Sequence, residues 1–474
     1  MKKFITLTAV ASLMFSCGSG DRGELLEGTQ GKRWITEKPQ GMAFIPGGSF
    51  TMGKTHEDLL GAQDAPTREV TIGSMYMDET EVTNNQYRKF VEFVKDSIVR
   101  TRLAIMADDM GMDATAGGIG AFAFQEVEDP SLNQNQSAYD RYMYDNYYSM
   151  AMDDDEYAGR RLNKKARLIT DPRRYPDEYY VEVMDSLYIP ANQNLNGMVT
   201  FDVRKLNFKY SWWDERGYIN DDSNEVRNRQ AKYLKTEIVN VYPDTTAWVK
   251  NFNYSYNEPM FREYFWHEAY GEYPVVGVTQ HQAKAFAAWR TLYKKAYYTD
   301  RNMNHSLYEY RVPSESEWEY AARGGLKNAM YPWGGPYTTD EKACFLANFK
   351  PKSSDYAVDG ALYTAEARSY KPNGYNLYNM AGNVAEWTDT PYDESTYIMQ
   401  SGLKPKDRTV VSNPLRVVRG GSWRDPGYFL QVATRDKEMA DSARCYIGFR
   451  TVVSAPGPGL LNESNAPQSG RNVK

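Results

Sequence analysis

The stretch from Asn373 to Trp387 reads NGYNLYNMAGNVAEW, and its segment from Asn379 to Glu386 sets two amides, one carboxylate and a glycine close together. Asn379, Asn383 and Glu386 offer side-chain oxygens, and a tight loop kinked at Gly382 can turn backbone carbonyls inward. Calcium takes this mixture of oxygen donors. The plainer reading is an Asn-rich turn entering a core strand. Asn373-Gly374 is a turn signal, with glycine expected to take the positive φ. Leu377, Tyr378 and Met380 are expected to be buried. Other reactive groups are sparse. The four histidines, His56, His267, His281 and His305, show no His-x3-His spacing and read as surface or capping groups. Cysteines occur at 17, 344 and 445 only. Cys344 and Cys445 could pair in an oxidising compartment, and spacing does not decide it. There is no nucleophile elbow, P-loop or zinc cluster.

These residues need elements to hold them. Met42 to Ile45, followed by Pro46-Gly47-Gly48, reads as a strand entering a turn, and Val70 to Met77 as a second strand. Thr83 to Gln86 forms a capping box ahead of Tyr87, Phe90, Val91 and Val94, the spacing of an amphipathic helix. Thr279 to Gln282 caps a helix carrying Ala283, Phe286, Ala287 and Arg290. Ser314 to Glu317 caps one carrying Trp318, Ala321 and Ala322, stopped by Gly324-Gly325. Glu317 and Glu319 therefore read as capping and surface groups rather than a catalytic pair.

The first sixteen residues read as a lipoprotein signal peptide. Lys2 and Lys3 precede an apolar run from Phe4 to Phe15 that is too short for a stop-transfer span. Leu13 to Cys17 resembles a bacterial lipobox, with Cys17 as the lipidation site. Residues 17–40 read as a lipidated tether to the outer membrane. No acidic cluster follows Cys17, which favours the periplasmic face. With 474 residues and 41% hydrophobic content, a large core is available. A formal charge of −6 disfavours nucleic acid and a basic membrane-binding face. Residues 454–474 read as a disordered tail.

Several segments, in order, resemble the formylglycine-generating enzyme (sulfatase-modifying factor) family. They are PGGSFTMG at Pro46 to Gly53, MDETEVTNNQYRKF at Met77 to Phe90, RVPSESEWEYAARGG at Arg311 to Gly325, the Asn373 stretch, RVVRGGSW at Arg416 to Trp423, and IGFR at Ile447 to Arg450. The resemblance implies an α+β fold of this family, poor in regular secondary structure and related to the C-type lectin fold. It assigns 41–95 and 258–453 to that domain and leaves 96–257 as a large insertion. Tyrosines crowd the insertion at 139, 142, 144, 147, 148, 175, 179 and 180, and tyrosine suits interface cores. Val239 to Tyr242 reads as a strand, with Trp248 and Trp266 flanking the return to the core. Replacing 140–180 by a short linker is expected to leave a folded core.

The family's chemistry is missing in part. Active members bind copper through two cysteines shortly after R-G-G-S, and here those positions hold Asp425 and Leu430. Neither replaces a thiolate, so no catalytic residue and no copper are expected. The related iron-dependent branch needs a three-histidine site that is also missing. The resemblance implies structural calcium at Asn379, Gly382, Val384 and Glu386. A further site is implied at Asn348, Phe349 and Asp359, where the loop looks short. A narrower resemblance is to lipoproteins of the type IX secretion and gliding-motility apparatus. It implies a periplasmic ring built with a soluble partner of the GldN/PorN type and with other copies of the chain. The alternatives are an oxygen-dependent modifying enzyme and a carbohydrate-binding module.

Overall fold

The structure, a computed structural model, describes residues 38–54, 63–113, 115, 117–125, 162–194, 197–213, 233–252, 259–300, 309–351, 361–399 and 414–455. Cys17, His56, the Tyr139–Tyr148 run, His305, Asp359 and the tail beyond 455 lie outside the described residues.

Four strands open the described chain: β1 (Met42–Ile45), β2 (Gly48–Met52), β3 (Arg68–Ile72) and β4 (Met75–Asp78). The single strand expected over Val70 to Met77 is two, broken at Gly73-Ser74. The break is needed because β3 pairs with β2, whereas β4 belongs to another sheet.

Helix α1 (Asn84–Asp109) starts where the sequence places it. Thr83 Oγ1 accepts from the Gln86 amide and the Gln86 side chain accepts from the Thr83 amide. Each bond satisfies one of the donors a helix start leaves open. Its buried face carries Tyr87, Phe90, Val91 and Val94, and continues through Val99, Leu103 and Ala107. That continuation crosses residue 96 without a break. Its far half packs with Ile119, Phe122 and helix α2 (Glu178–Leu187), which contributes Tyr180, Val183, Met184 and Leu187. Tyr180 is fully buried and its hydroxyl donates to the Ile169 carbonyl at 3.0 Å. Replacing 140–180 would therefore remove Tyr180 from this cluster and cut into the start of α2. Burying each such side chain contributes about 1.5–3 kcal/mol.

Two hairpins follow: β5 (Tyr188–Ile189) with β6 (Thr200–Phe201), and β7 (Asn207–Trp213) with β8 (Leu234–Asn240). Phe208, Tyr210 and Val239 face the main core. Two short helices, α3 (Ala247–Asn251) and α4 (Pro259–Glu263), lead back to the family core. Helix α5 (Gln280–Asp300) carries the expected reciprocal cap, with Thr279 N–H donating to Gln282 Oε1 at 2.8 Å and Gln282 N–H to Thr279 Oγ1 at 3.2 Å. After β9 (Tyr310–Arg311), helix α6 (Glu315–Ala322) has a capping box from Ser314 and Glu317.

The remaining elements are β10 (Ala385–Pro391), α7 (Thr396–Met399), β11 (Leu415–Arg419), β12 (Asp436–Met439), β13 (Ile447–Gly448) and β14 (Val452–Ser454). One four-stranded sheet runs β1-β4-β14-β9 and the other β12-β11-β10-β13. Tyr87, Phe90, Phe286, Trp289, Trp387 and Phe449 fill the core. Among the described residues, no helix is long and apolar enough to cross a membrane.

Candidate functional site

The Asn373–Trp387 stretch forms a loop ending in β10, held by side-chain amides. Asn373 Oδ1 accepts from the Tyr375 and Leu377 amides, while its Nδ2 donates to the Ala321 and Ala322 carbonyls at the end of α6. The positive φ angles fall on Asn376, Asn379, Asn383 and Gly382, not on Gly374. Gly374 is required for closeness: a Cβ there would lie 2.2 Å from the Gly324 carbonyl oxygen. Gly382 is required twice over, with φ +80° and a Cβ position 2.3 Å from the Asn348 carbonyl oxygen. Leu377 and Met380 are buried as expected; Tyr378 is half-buried beneath the Arg368 guanidinium.

The loop surrounds an unusual amount of buried charge. Glu386 is bidentate with Arg450, at 2.6 Å (Oε1–Nη2) and 2.7 Å (Oε2–Nε), and Oε2 also accepts from Trp318 Nε1 at 2.7 Å. Beside it sits Glu81, fully buried, accepting from Asn383 Nδ2 at 3.0 Å and Asn379 Nδ2 at 3.1 Å. Burial pushes the Glu81 carboxyl up to about 8, although Arg450 pulls the other way. Asn379 Oδ1 is buried with no hydrogen-bond partner.

A cation can be tested against this arrangement. The loop suits one at its Asn379 end, where a hard oxygen is left without a donor. Glu386 brings little free charge, because Arg450 already neutralises it. Asn348 is tied down differently: its Nδ2 donates to the Tyr363 carbonyl at 2.6 Å, and its own carbonyl accepts from the Asn383 amide at 2.8 Å. Phe349 is buried beside Leu430. Among the described residues, no three His, Cys, Asp or Glu side chains converge as metal ligands.

The turn after β11 carries Asp425 and Leu430, the positions singled out in the sequence. Gly420 and Gly421 both have positive φ, packed against the Trp318 ring and the Phe429 backbone. Asp425 Oδ2 accepts from Ser422 N at 3.0 Å and Ser422 Oγ at 2.5 Å, closing the turn. Burial raises the Asp425 carboxyl above its ordinary value. Leu430 is fully buried among Tyr331, Ala347, Phe349 and Ala381. Trp423 is covered by a stack of rings: Trp248 at 5.8 Å, Phe252 at 5.9 Å and, edge-on, Tyr363 at 5.3 Å. Trp248 and Phe252 come from α3 and its C-terminal cap, so this short helix lies over the turn. Trp266 is half-exposed, donating to the Tyr242 hydroxyl. Cys445 is buried and Cys344 exposed, and both are free thiols. His281 bridges Glu237 (2.9 Å) and Asp441 (3.3 Å), and His267 caps a short 3₁₀ turn.

Glu317 caps α6 and pairs with Arg311 at 2.6 Å. Glu319 is a correction: it is fully buried, not a surface group. It pairs with Arg323 at 2.7 Å and with Arg419. Glu315 pairs with Arg435 at 2.7 Å and lies 3.3 Å from Arg419 Nε. Sequence reasoning missed this network and missed Glu81. One available signal was a charge directly after apolar residues, as with Arg419 after Val417-Val418; Glu81, in the mostly polar run Asp78 to Thr83, carries no such signal.

Comparison with known proteins follows the same motifs. The sulfatase-modifying factor enzyme 1-like domain matches residues 30–164 and 212–455. The inactive C-alpha-formylglycine-generating enzyme 2 of Bos taurus is 33% identical over 193 residues, 40% of this chain and 52% of that protein. The formylglycine-generating enzyme of Streptomyces coelicolor is 34% identical over 182 residues, 38% of this chain and 52% of that protein. The chain thus spans about half the length of these curated relatives. The Bos taurus formylglycine-generating enzyme aligns over 87% of this chain and 74% of its own length at 23% identity. Among solved structures, PvdO from Pseudomonas aeruginosa aligns with 89% of this chain and 98% of its own, with TM-score 0.42 and 16% identity.

Proposed function

We propose, from the premise that this chain belongs to the sulfatase-modifying factor enzyme 1-like domain family, that it is a non-catalytic member serving as a scaffold. One observation carries the non-catalytic reading. The two positions that would hold copper thiolates are filled by Asp425, spent on closing a turn, and Leu430, sealed in the core. Neither offers copper a soft ligand. Relatives of both kinds exist, named as inactive and as formylglycine-generating. The residues at the turn favour the inactive kind.

The finer reading is an outer-membrane lipoprotein, anchored through Cys17 on the periplasmic face. It would build a ring of the type IX secretion and gliding machinery, as the resemblance to lipoproteins of the GldK/PorK type suggests. Its partners would be a GldN/PorN-type soluble protein and further copies of itself. The sister lipoprotein GldJ is the nearest alternative. A closed ring needs two different surfaces on each copy, and the insertion supplies surface beyond the enzyme-like core. Structural calcium at Asn379, Gly382, Val384 and Glu386 would pin the loop, with Asn348, Phe349 and Asp359 as the second set.

The test is co-purification from detergent-solubilised envelope. A soluble periplasmic protein in stoichiometric amount supports the scaffold; a sulfatase substrate overturns it. A second arm replaces residues 126–161 by a short Gly/Ser linker, which spares the face of α1 packed by α2. Electron microscopy of the co-expressed pair should then show no rings. Intact rings would place the contacts on the core.

A further inference from the structure

We infer that the carboxylate facing a cation at the Asn379–Glu386 loop is Glu81, and that Glu81 with the Asn379 side-chain oxygen forms a hard-cation site. The inference rests on the calcium reading of the loop and changes which residue supplies its charge. Glu386 is already matched: both of its oxygens are held by Arg450. Glu81 is fully buried, and among the described residues no Lys, Arg or His comes within ion-pair distance of it. Its two oxygens accept from the Asn379 and Asn383 side-chain amides and from the backbone N–H of Glu81 itself. Amides satisfy lone pairs without cancelling charge. The cluster therefore holds two acids against one guanidinium, and ionising the second of them without a further cation is costly.

The second observation is independent of charge. Asn379 is more than nine-tenths buried, and its Oδ1 has no donor. Its orientation is fixed, because the other end of the amide donates to Glu81 Oε2 and to the Ala367 carbonyl, both at 3.1 Å. Flipping the amide would set an oxygen against two acceptors. Amide oxygen and nitrogen are about 2.2 Å apart from standard bond lengths. Asn379 Oδ1 therefore lies no more than about 5.3 Å from Glu81 Oε2, which a calcium ion with ligands at about 2.3–2.6 Å can roughly span. All the donors are oxygens, so the ion is a hard one, calcium before any transition metal. An unmatched acid and an unmatched acceptor, side by side in the interior, are resolved together by one cation.

The test measures melting of the full chain in detergent, with calcium and with chelator, for wild type and Glu81→Gln. Calcium should raise the wild-type melting temperature by several degrees. Glu81→Gln should lose that rise while matching the wild type in chelator. If the variant keeps the rise, Glu81 is not the charge partner and the calcium reading stands without it. If calcium does not shift the wild type, both readings fall. Asn379→Asp guards against a misfolded Glu81→Gln. It sets a second carboxylate beside Glu81 and should tighten calcium binding at least tenfold, read by titrating tryptophan fluorescence. Unchanged or weaker binding would overturn the inference.

Discussion

Glu319→Gln should destabilise the protein more than Arg419→Met, although the two residues pair with each other. The buried network holds three guanidinium groups, Arg323, Arg419 and Arg435, around two carboxylates, Glu315 and Glu319. Removing Arg419 leaves each carboxylate its own partner: Arg323 stays on Glu319 and Arg435 on Glu315. The loss is then mainly the two hydrogen bonds from Arg419 Nη1 to the Val432 and Thr434 carbonyls. Each unsatisfied buried carbonyl costs about 1–3 kcal/mol, and methionine refills much of the volume. Two such carbonyls bound the cost at about 2–6 kcal/mol, and losing the buried Arg419 charge removes its own desolvation cost, which brings the net below that of Glu319→Gln. Removing the charge of Glu319 instead leaves three buried cations facing one carboxylate. It also perturbs the bond from the Gly53 amide to Glu319 Oε1. Breaking a buried pair from one side costs about 3–5 kcal/mol, a large part of a typical stability of about 5–15 kcal/mol. Urea unfolding followed by tryptophan fluorescence gives both values, and the double variant should cost less than their sum. If Arg419→Met costs as much as Glu319→Gln, the charge-count argument is wrong.

Burial raises Glu319 and Glu317 in principle, but Arg419 with Arg323, and Arg311, outweigh it and hold both carboxyls below their ordinary value. Their contribution is present above the unfolded carboxylate value and lost as pH falls through the lower folded values. Unfolding midpoints should therefore drop below about pH 4.5 in wild type, and less steeply in Glu317→Gln; parallel profiles would contradict this. Cys344 should react with a maleimide quickly, and Cys445, whose thiol burial pushes up to about 11, at least about a hundredfold more slowly. Mass spectrometry showing equal rates would refute the buried placement. Gly382→Ala should cost about 3 kcal/mol or more, through positive φ and the clash with the Asn348 carbonyl; a neutral result would mean the loop is not held as described. Cys17→Ala should release the chain from the membrane fraction, and fatty-acid label retained by that variant would remove the anchor from the proposal.

Local chemistry was the most legible part of the chain. The caps at Thr83, Thr279 and Ser314 each need only two side chains three residues apart, so sequence alone places them. The family motifs likewise pointed to the loop at Asn379 and the turn at Ser422. Long-range pairing was not legible. Glu81 meets Asn379 and Asn383 across some three hundred positions, and nothing near Glu81 in the chain announces that burial. Glu319 was misread for a related reason. Helical spacing assigns a face only when one side of a helix is solvated, and α6 is buried nearly all round. Val70 to Met77 was misread because apolar residues resume directly after Gly73-Ser74 while the chain changes sheets.

The place of β14 has a consequence for how the protein can be made. It lies between β4 and β9, with Val453 opposite Tyr76 on one side and Tyr310 on the other. Nearly the whole chain must be delivered before these edges are filled. Until then β4 and β9 present open edges, which recruit other strands as readily as the right one. Contacts this distant in sequence also form slowly. The order of synthesis thus works against this sheet, so its assembly is a late step that a holding factor or fast delivery of the C-terminal strand would protect.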